Sequence, residues 1–248
     1  GEVKNPPITG EEWEDMGAFR FPWEVHTIDK DKINEFCVQT DQYVSSGYNI
    51  HPFEQLQYIR GTEDLYMDLL LRPKKLMEVL EELHDFYCKL VTLWAQTDVD
   101  GISLMDDWGS QRSLLINPAI WVELFKPMYK DYIEIAHKYG KKVKMHSDGY
   151  ILDIIPHLID IGLDAVNAQI FCMGMEPLNQ FRGDITFWGE IDRQNLLPYG
   201  SLEDIKNAVQ SVKDNLWQNG GCIAHCEFGP SAKPENVRQV FKTWGEIL

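Results

Sequence analysis

The chain has 248 residues, 44% of them hydrophobic, and a formal net charge of −16. That length suits one α/β barrel or two smaller domains, and the surplus of carboxylates excludes a nucleic-acid-binding face, which needs clustered Lys and Arg, and disfavours an anionic membrane. No apolar run approaches the roughly 20 residues of a membrane-spanning helix.

Residues 1–45 are rich in Pro and Gly at their start and read as an irregular segment with one short strand at most. Residues 46–248 read as a single (β/α) barrel domain. SGYNIHPF (46–53) reads as a strand ending near His51 and Glu54. RPKKLMEVLEELHDFYCKLVTLWAQ (72–96) is a long amphipathic helix. From residue 100 the chain acquires a beat. DGISLMDDW is a strand ending in Asp106 and Asp107. NPAIWVELFKPMYKDYIEIAHKYG carries helix punctuation, with Asn117 as cap, Pro118 in the first turn and Gly140 at the stop. Pro127 should kink or divide it. KKVKMHSDG is the next strand, YILDIIPHLIDIG a helix bent at Pro156, DAVNAQ a strand and EPLNQFRG a short helix. DITFWGEID is a strand, SLEDIKNAVQSVKDNLWQNGG a helix capped by Ser201, GGCIAHCEF a strand and PENVRQVFKTWGEIL the closing helix.

Strands alternating with helices at this spacing predict parallel βα units. Each strand ends in polar residues: Asp106 and Asp107, His146 and Asp148, Asn167 and Gln169, Glu190 and Asp192, Cys226 and Glu227. One polar rim at the strand C-termini is the active-site arrangement of a TIM-type (β/α)8 barrel. No glycine-rich phosphate loop of either common kind occurs. Six strands are countable where a closed barrel has eight.

KVKMHSDGY (142–150) is the stretch richest in chemistry. Residues i and i+2 of a strand share a face, so His146 and Asp148 are placed to act together. Taken alone, His146 is equally a hydrogen-bonded strand-end histidine, and Cys226 an ordinary buried thiol. Cys222 reads as core, His225 as structural and facing away from Cys226, and Trp108 and Trp188 more readily as packing than as substrate platforms. The five cysteines are scattered, with no disulfide framework, which points to a reducing, cytoplasmic setting. No signal-peptide pattern is visible, and the start at Gly1 suggests a processed or truncated end.

Four stretches together resemble the uroporphyrinogen decarboxylase superfamily: DDWGSQRSLLINPAIWVELFKPMYKDYIEIAHKYGKKVKMHSDG, DIGLDAVNAQ, ITFWGEIDRQNLLPYG and GGCIAHCEFGPSAKPENV. The resemblance is ordered along the chain and covers roughly 45–248. It implies a TIM-type barrel that lacks the family's N-terminal strand, with residues 1–45 or another chain covering the exposed edge. It also implies one of two activities, tetrapyrrole decarboxylation or cobalamin-dependent methyl transfer. The methyltransferase branch holds zinc on a His-x-Cys pair and a later Cys. His146 matches the His and Cys226 the later Cys, whereas Asp148 stands where the first Cys would be. A His146, Asp148 and Cys226 set remains competent for zinc, and trading thiolate for carboxylate makes the ion a stronger Lewis acid, suited to an O-methyl donor.

The sequence is therefore similar to methyltransferase components of corrinoid-dependent systems. The methyl group would come from a small-molecule donor and pass to cobalamin supplied by a partner corrinoid protein. Asp107 and Glu190 are the candidate catalytic residues; Asp106, Trp108, Gln111, Asn167 and Gln169 are the candidate substrate-binding residues. Homo-oligomerisation is compatible with this reading. The alternatives are a metal-free tetrapyrrole decarboxylase and a truncated barrel acting as a binding module.

Overall fold

The computed structural model describes residues 3–10, 13, 19–47 and 50–247. The chain divides into two compact units, residues 1–107 with 119–143, and residues 108–118 with 144–248.

In the first unit, Asp29 caps helix α1 (Lys30–Val38) by accepting from Lys32 N at 3.1 Å. A nine-residue helix thus stands in a segment expected to be irregular or to hold a short strand. Its signal was the Asp29 cap, which the Pro-rich residues upstream obscured. Helices α2 (Pro52–Arg60) and α3 (Thr62–Leu71) are divided by Gly61, whose φ of +83° ends one helix at the start of the next. Helix α4 (Lys74–Ala95) buries Leu76, Val79, Leu80, Leu83, Phe86, Tyr87 and Val91, one stripe of a 3.6-residue period. Strand β1 (Gly101–Met105) follows.

The expected strand at SGYNIHPF takes a different form. Ser45 makes a single parallel bridge to Gly101, and Met105 N donates to Ile50 O at 2.9 Å. Tyr48 and Asn49 lie outside the described residues. His51 is the N-cap of α2 and Glu54 sits in its first turn, so neither ends a strand. Pro52 at the first helical position explains the early turn into helix.

The Asn117–Gly140 run is one interrupted helix: α5 (Pro118–Ile120), a π-helical turn (Trp121–Phe125) and α6 (Lys126–Lys138). The wide turn sits immediately before Pro127, whose missing N–H removes a ladder bond, so the expected kink appears as a π-bulge.

Asp106, just past β1, is fully buried. Its carboxylate accepts from Phe53 N at 3.0 Å, from Glu54 N at 2.8 Å and from the Tyr129 hydroxyl. These two amides are orphan donors of the first turn of α2, so Asp106 caps that helix from a distant point in the chain. Burial pushes its pKa well up, against these three hydrogen bonds. These contacts give Asp106, expected from the sequence to bind substrate, a structural task.

The second unit carries most of the sheet. Strands β2 (Lys142–Ser147), β3 (Ala165–Ala168), β4 (Thr186–Gly189) and β5 (Cys222–Ala224) are parallel neighbours, and the full strand order is β1-β2-β3-β4-β5. Between them lie α7 (Ile155–Asp160), α8 (Ile170–Met173), α9 (Met175–Asn179), α10 (Leu196–Tyr199) and α11 (Leu202–Leu216), and α12 (Pro234–Ile247) closes the chain. Ser201 caps α11 in a reciprocal capping box with Asp204, as its sequence predicted. The fold class is α/β, with five strands among the described residues.

Alternation sorts the strand residues. Val143, Met145, Ser147, Val166, Ala168 and Phe187 are buried, while Lys144, His146 and Trp188 on the other face keep partial exposure. Gly189 belongs to the covered face. A Cβ there would collide with Ile170 Cδ1 and lie close to Val212, so the glycine lets helix and strand approach. Among the described residues, no helix is long and apolar enough to cross a membrane.

Two stability predictions follow from the first unit. Asp106→Ala strands two amides and a tyrosine hydroxyl, and urea denaturation should show a loss of about 2–4 kcal/mol. His26 is buried against Phe86, with ring centroids 4.1 Å apart and both ring nitrogens lacking a partner. Burial lowers the pKa of His26, and likewise that of His51. The unfolded chain therefore binds more protons just below the ordinary histidine pKa of about 6.5, and stability should fall as pH drops through that value. His26→Phe should flatten part of the fall in pH-dependent thermal melts.

Candidate functional site

The site lies in the second unit, where β2, β3, β4 and β5 end. Register explains its composition. His146 pairs with Asn167, Asn167 with Trp188, and Trp188 with Ile223. Continuing the alternation assigns His146, Asp148, Asn167, Gln169, Glu190, His225 and Glu227 to one side of the sheet.

His146 Nδ1 and Asn167 Oδ1 are 2.6 Å apart, and Asn167 Nδ2 donates to Trp188 O at 2.8 Å. Because the Asn167 amide nitrogen is fixed as donor to that carbonyl, its oxygen must accept from Nδ1–H. The imidazole is held with Nε2 toward Asp148 Oδ1, 3.6 Å away. The turn beyond β2 is fixed by two glycines. Gly109 N donates to Asp148 O at 3.2 Å and Tyr150 N to Ser110 O at 2.7 Å. A Cβ on Gly109 or on Gly149 (φ +77°) would penetrate the facing backbone. That contact answers why the strand finishes on a turn glycine.

Arg193 is the hub of the site. Its guanidinium pairs with Asp148 and with Glu227, and its Nε lies 3.6 Å from Glu190 Oε2. Burial opposes the charge on Arg193, but the carboxylates of Glu190, Asp148 and Glu227 together raise its pKa. Glu190 is 2% exposed and its Oε1 has no hydrogen-bond partner. Burial, then a hydrogen bond that the protonated carboxyl makes to Glu227, push its pKa up to about 8, and Arg193 only partly offsets them. Beside these groups is a cavity of about 230 Å³ lined by Gln111, Gln169, Phe171, Glu190, Arg193 and Asn195, among others. Gln111 Nε2 donates to Gln169 Oε1 at 3.4 Å, and Gly149 N donates to the same oxygen at 3.2 Å.

Of the residues singled out in the sequence, His146, Asp148, Asn167, Gln169, Gln111 and Glu190 are joined through these contacts or the cavity wall. Trp108 is not available for substrate: it is fully buried, and its backbone N–H donates to Ser147 Oγ at 3.0 Å. Asp107 follows β1 in the first unit and is part-buried. Cys226 is 8% exposed, and burial, with Glu190 nearby, raises its thiol pKa to about 11. Its position has the parity of Gly189 and Ala224, not that of His146.

Arg193 was absent from the sequence reading, as was any role for His225 beyond structure. The available signal for Arg193 was a lone cation three residues beyond the rim carboxylate Glu190, in GEIDRQN.

The zinc set implied by the family resemblance fits in part. The His146–Asn167 bond is of the kind that fixes the orientation of a ligating imidazole, and 3.6 Å between Nε2 and Oδ1 suits two donors on a shared ion. Asp148, however, already pairs with the Arg193 cation. Cys226 joins no group of three or more candidate ligand atoms among the described residues. A second set does converge: Glu190, His225 and Glu227 each offer a donor atom, all within 4.8 Å of one another.

A family model described as uroporphyrinogen decarboxylase (URO-D) matches residues 45–247. The chain belongs to this family. Among solved structures, a methyltransferase from Methanosarcina mazei superposes with a TM-score of 0.62 at 14% identity, covering 79% of this chain and 57% of that one. The likeness shows the shared fold, and this chain spans little more than half the length of that neighbour. No curated protein matches the sequence.

The raised Glu190 pKa gives a signed prediction. A carboxyl whose folded pKa is about 8, against an ordinary 4.5, holds its proton in the native state while the unfolded chain has lost it. Stability should therefore decline as pH rises from about 4.5 to about 8. Glu190→Gln mimics the protonated form, and thermal melts across that range should show a flatter profile, with the variant gaining most on the native chain near pH 8.

Proposed function

We propose that this chain transfers a methyl group from a small donor, bound in the cavity beside Arg193, to a corrinoid carried by a partner protein. The observation that carries the proposal is the His146 imidazole, oriented by Asn167 with Nε2 facing the Asp148 carboxylate at 3.6 Å. Family membership and the fold shared with a methyltransferase support it. In this reading His146, Asp148 and Cys226 are the zinc ligands implied by the family, and the metal would polarise the heteroatom that bears the methyl group.

The chain's own residues do the remaining work. Gln111, Gln169 and Asn195 line the cavity with amide donors and acceptors that orient a polar donor. Arg193 holds Asp148 and Glu227 in place. Protonated Glu190 is positioned to donate its proton to the heteroatom as the methyl–heteroatom bond breaks, so that the leaving group departs neutral. A reduced corrinoid on the partner would supply the electron pair that accepts the methyl group, and Asp107 is kept as a candidate catalytic residue. The setting proposed is the cytoplasm.

Tetrapyrrole decarboxylation is the rival reaction. A substrate with eight carboxylates needs several cations, whereas among the described residues that line the cavity or pair within the site Arg193 stands among Asp148, Glu190, Asp192 and Glu227. The test is methylation of added cob(I)alamin, followed by absorbance, with small O-methyl, N-methyl and S-methyl donors. Turnover with one donor class, falling at least about 100-fold in His146→Ala, is the expected outcome, comparable to removal of a catalytic group. Consumption of uroporphyrinogen with no corrinoid methylation would replace this reading with the decarboxylase.

A further inference from the structure

We propose that Glu190, His225 and Glu227 form a divalent-cation site built from one imidazole and two carboxylates, separate from the thiolate set implied by family resemblance. Three observations converge on it. The first is proximity: one donor atom from each of the three residues lies within 4.8 Å of the other two. Two ligands on a common zinc stand at most about 4.2 Å apart, twice a 2.1 Å bond, so small side-chain adjustments complete the site.

The second is unmet valence. Glu190 has a side chain 3% exposed, and its Oε1 has no hydrogen-bond partner; His225 Nε2 is likewise buried without one. Buried polar atoms are nearly always paired, and these two sit in the same cluster. A cation shared between them satisfies both at once.

The third is charge. Asp148, Glu190 and Glu227 bring three negative charges once a bound cation has displaced the Glu190 proton, Glu190 then being ligand and not acid, and Arg193 returns one. A dication brings the remaining two to neutrality. Arg193 contacts Glu190 through Oε2, leaving Oε1 for the cation, and pairs with Glu227 through Oε1, so that Glu227 would ligate through its other oxygen.

The topology makes the convergence reproducible. Gly189 is in register with Ala224, so the next residues along, Glu190 and His225, leave neighbouring strands at one level and on one side. Glu227, two residues on, repeats the side of His225. Cys226, between them, has the opposite parity. An N/O donor set of this kind suits Zn²⁺, Co²⁺ or Mn²⁺ rather than a soft ion.

The test uses the full chain stripped of metal and titrated with Co²⁺, read by metal analysis and by electronic absorption. The expected result is a Co²⁺ bound at this set in addition to any held with Cys226, with visible ligand-field bands that persist in Cys226→Ser without a thiolate-to-cobalt charge-transfer band. Glu190→Gln and His225→Ala, each made in the Cys226→Ser chain and checked for folding by circular dichroism, should weaken this remaining binding at least about tenfold. Loss of all Co²⁺ binding in Cys226→Ser would overturn the proposal and favour the thiolate set. Absence of Co²⁺ binding would also overturn it, leaving Arg193 as the sole cation of the cluster. Binding that survives both Glu190→Gln and His225→Ala but is lost in His146→Ala would overturn it as well, while supporting the metal ligands of the proposed methyl transfer.

Discussion

One guanidinium organises the candidate site. Arg193 gathers carboxylates that arrive from the ends of three different strands, Asp148 after β2, Glu190 after β4 and Glu227 after β5. Without a cation, like charges at this spacing repel strongly in a partly desolvated setting. With only one, compensation is incomplete, and the deepest carboxylate, Glu190, keeps its proton to an unusually high pH. The unbalanced ring sets a protonated carboxyl, an oriented imidazole and an amide-lined cavity side by side.

Parallel register supplies the precision. His146, Asn167 and Trp188 lie at matched levels of three adjacent strands, so the chain from imidazole to amide to backbone carbonyl is short and rigid. Side chains borne on strands hold their geometry better than those on loops. The loops contribute where they are pinned, as at Gly109 and Gly149, where two backbones touch and no side chain fits.

The first unit shows the same economy of means applied to stability. Asp106 looks in sequence like a rim carboxylate equivalent to its neighbour. In the fold it closes the N-terminus of α2 and meets Tyr129, so its carboxyl is engaged by three donors. Two adjacent aspartates thus have different fates because strand alternation sends their side chains to opposite sides.

The sequence alone determined the α/β class, the order of strands and helices from residue 100, the cap at Ser201, the helix start at Pro118, and the polar rim at the strand ends. Those features are local: they follow from hydrophobic period, turn residues and capping chemistry within a few positions. The family was legible for the same reason, in motifs that run in order along the chain. Tertiary structure decided the rest. Helix α1 and the short pair α2 and α3 lie in stretches whose periodicity is weak. Which of Glu190, His225 and Cys226 face one another depends on the offset between β4 and β5, a register set by packing across distant residues. The role of Arg193 depends on three partners at separations of 45, 3 and 34 residues, and no local pattern encodes a charge whose partners meet only when the sheet is assembled.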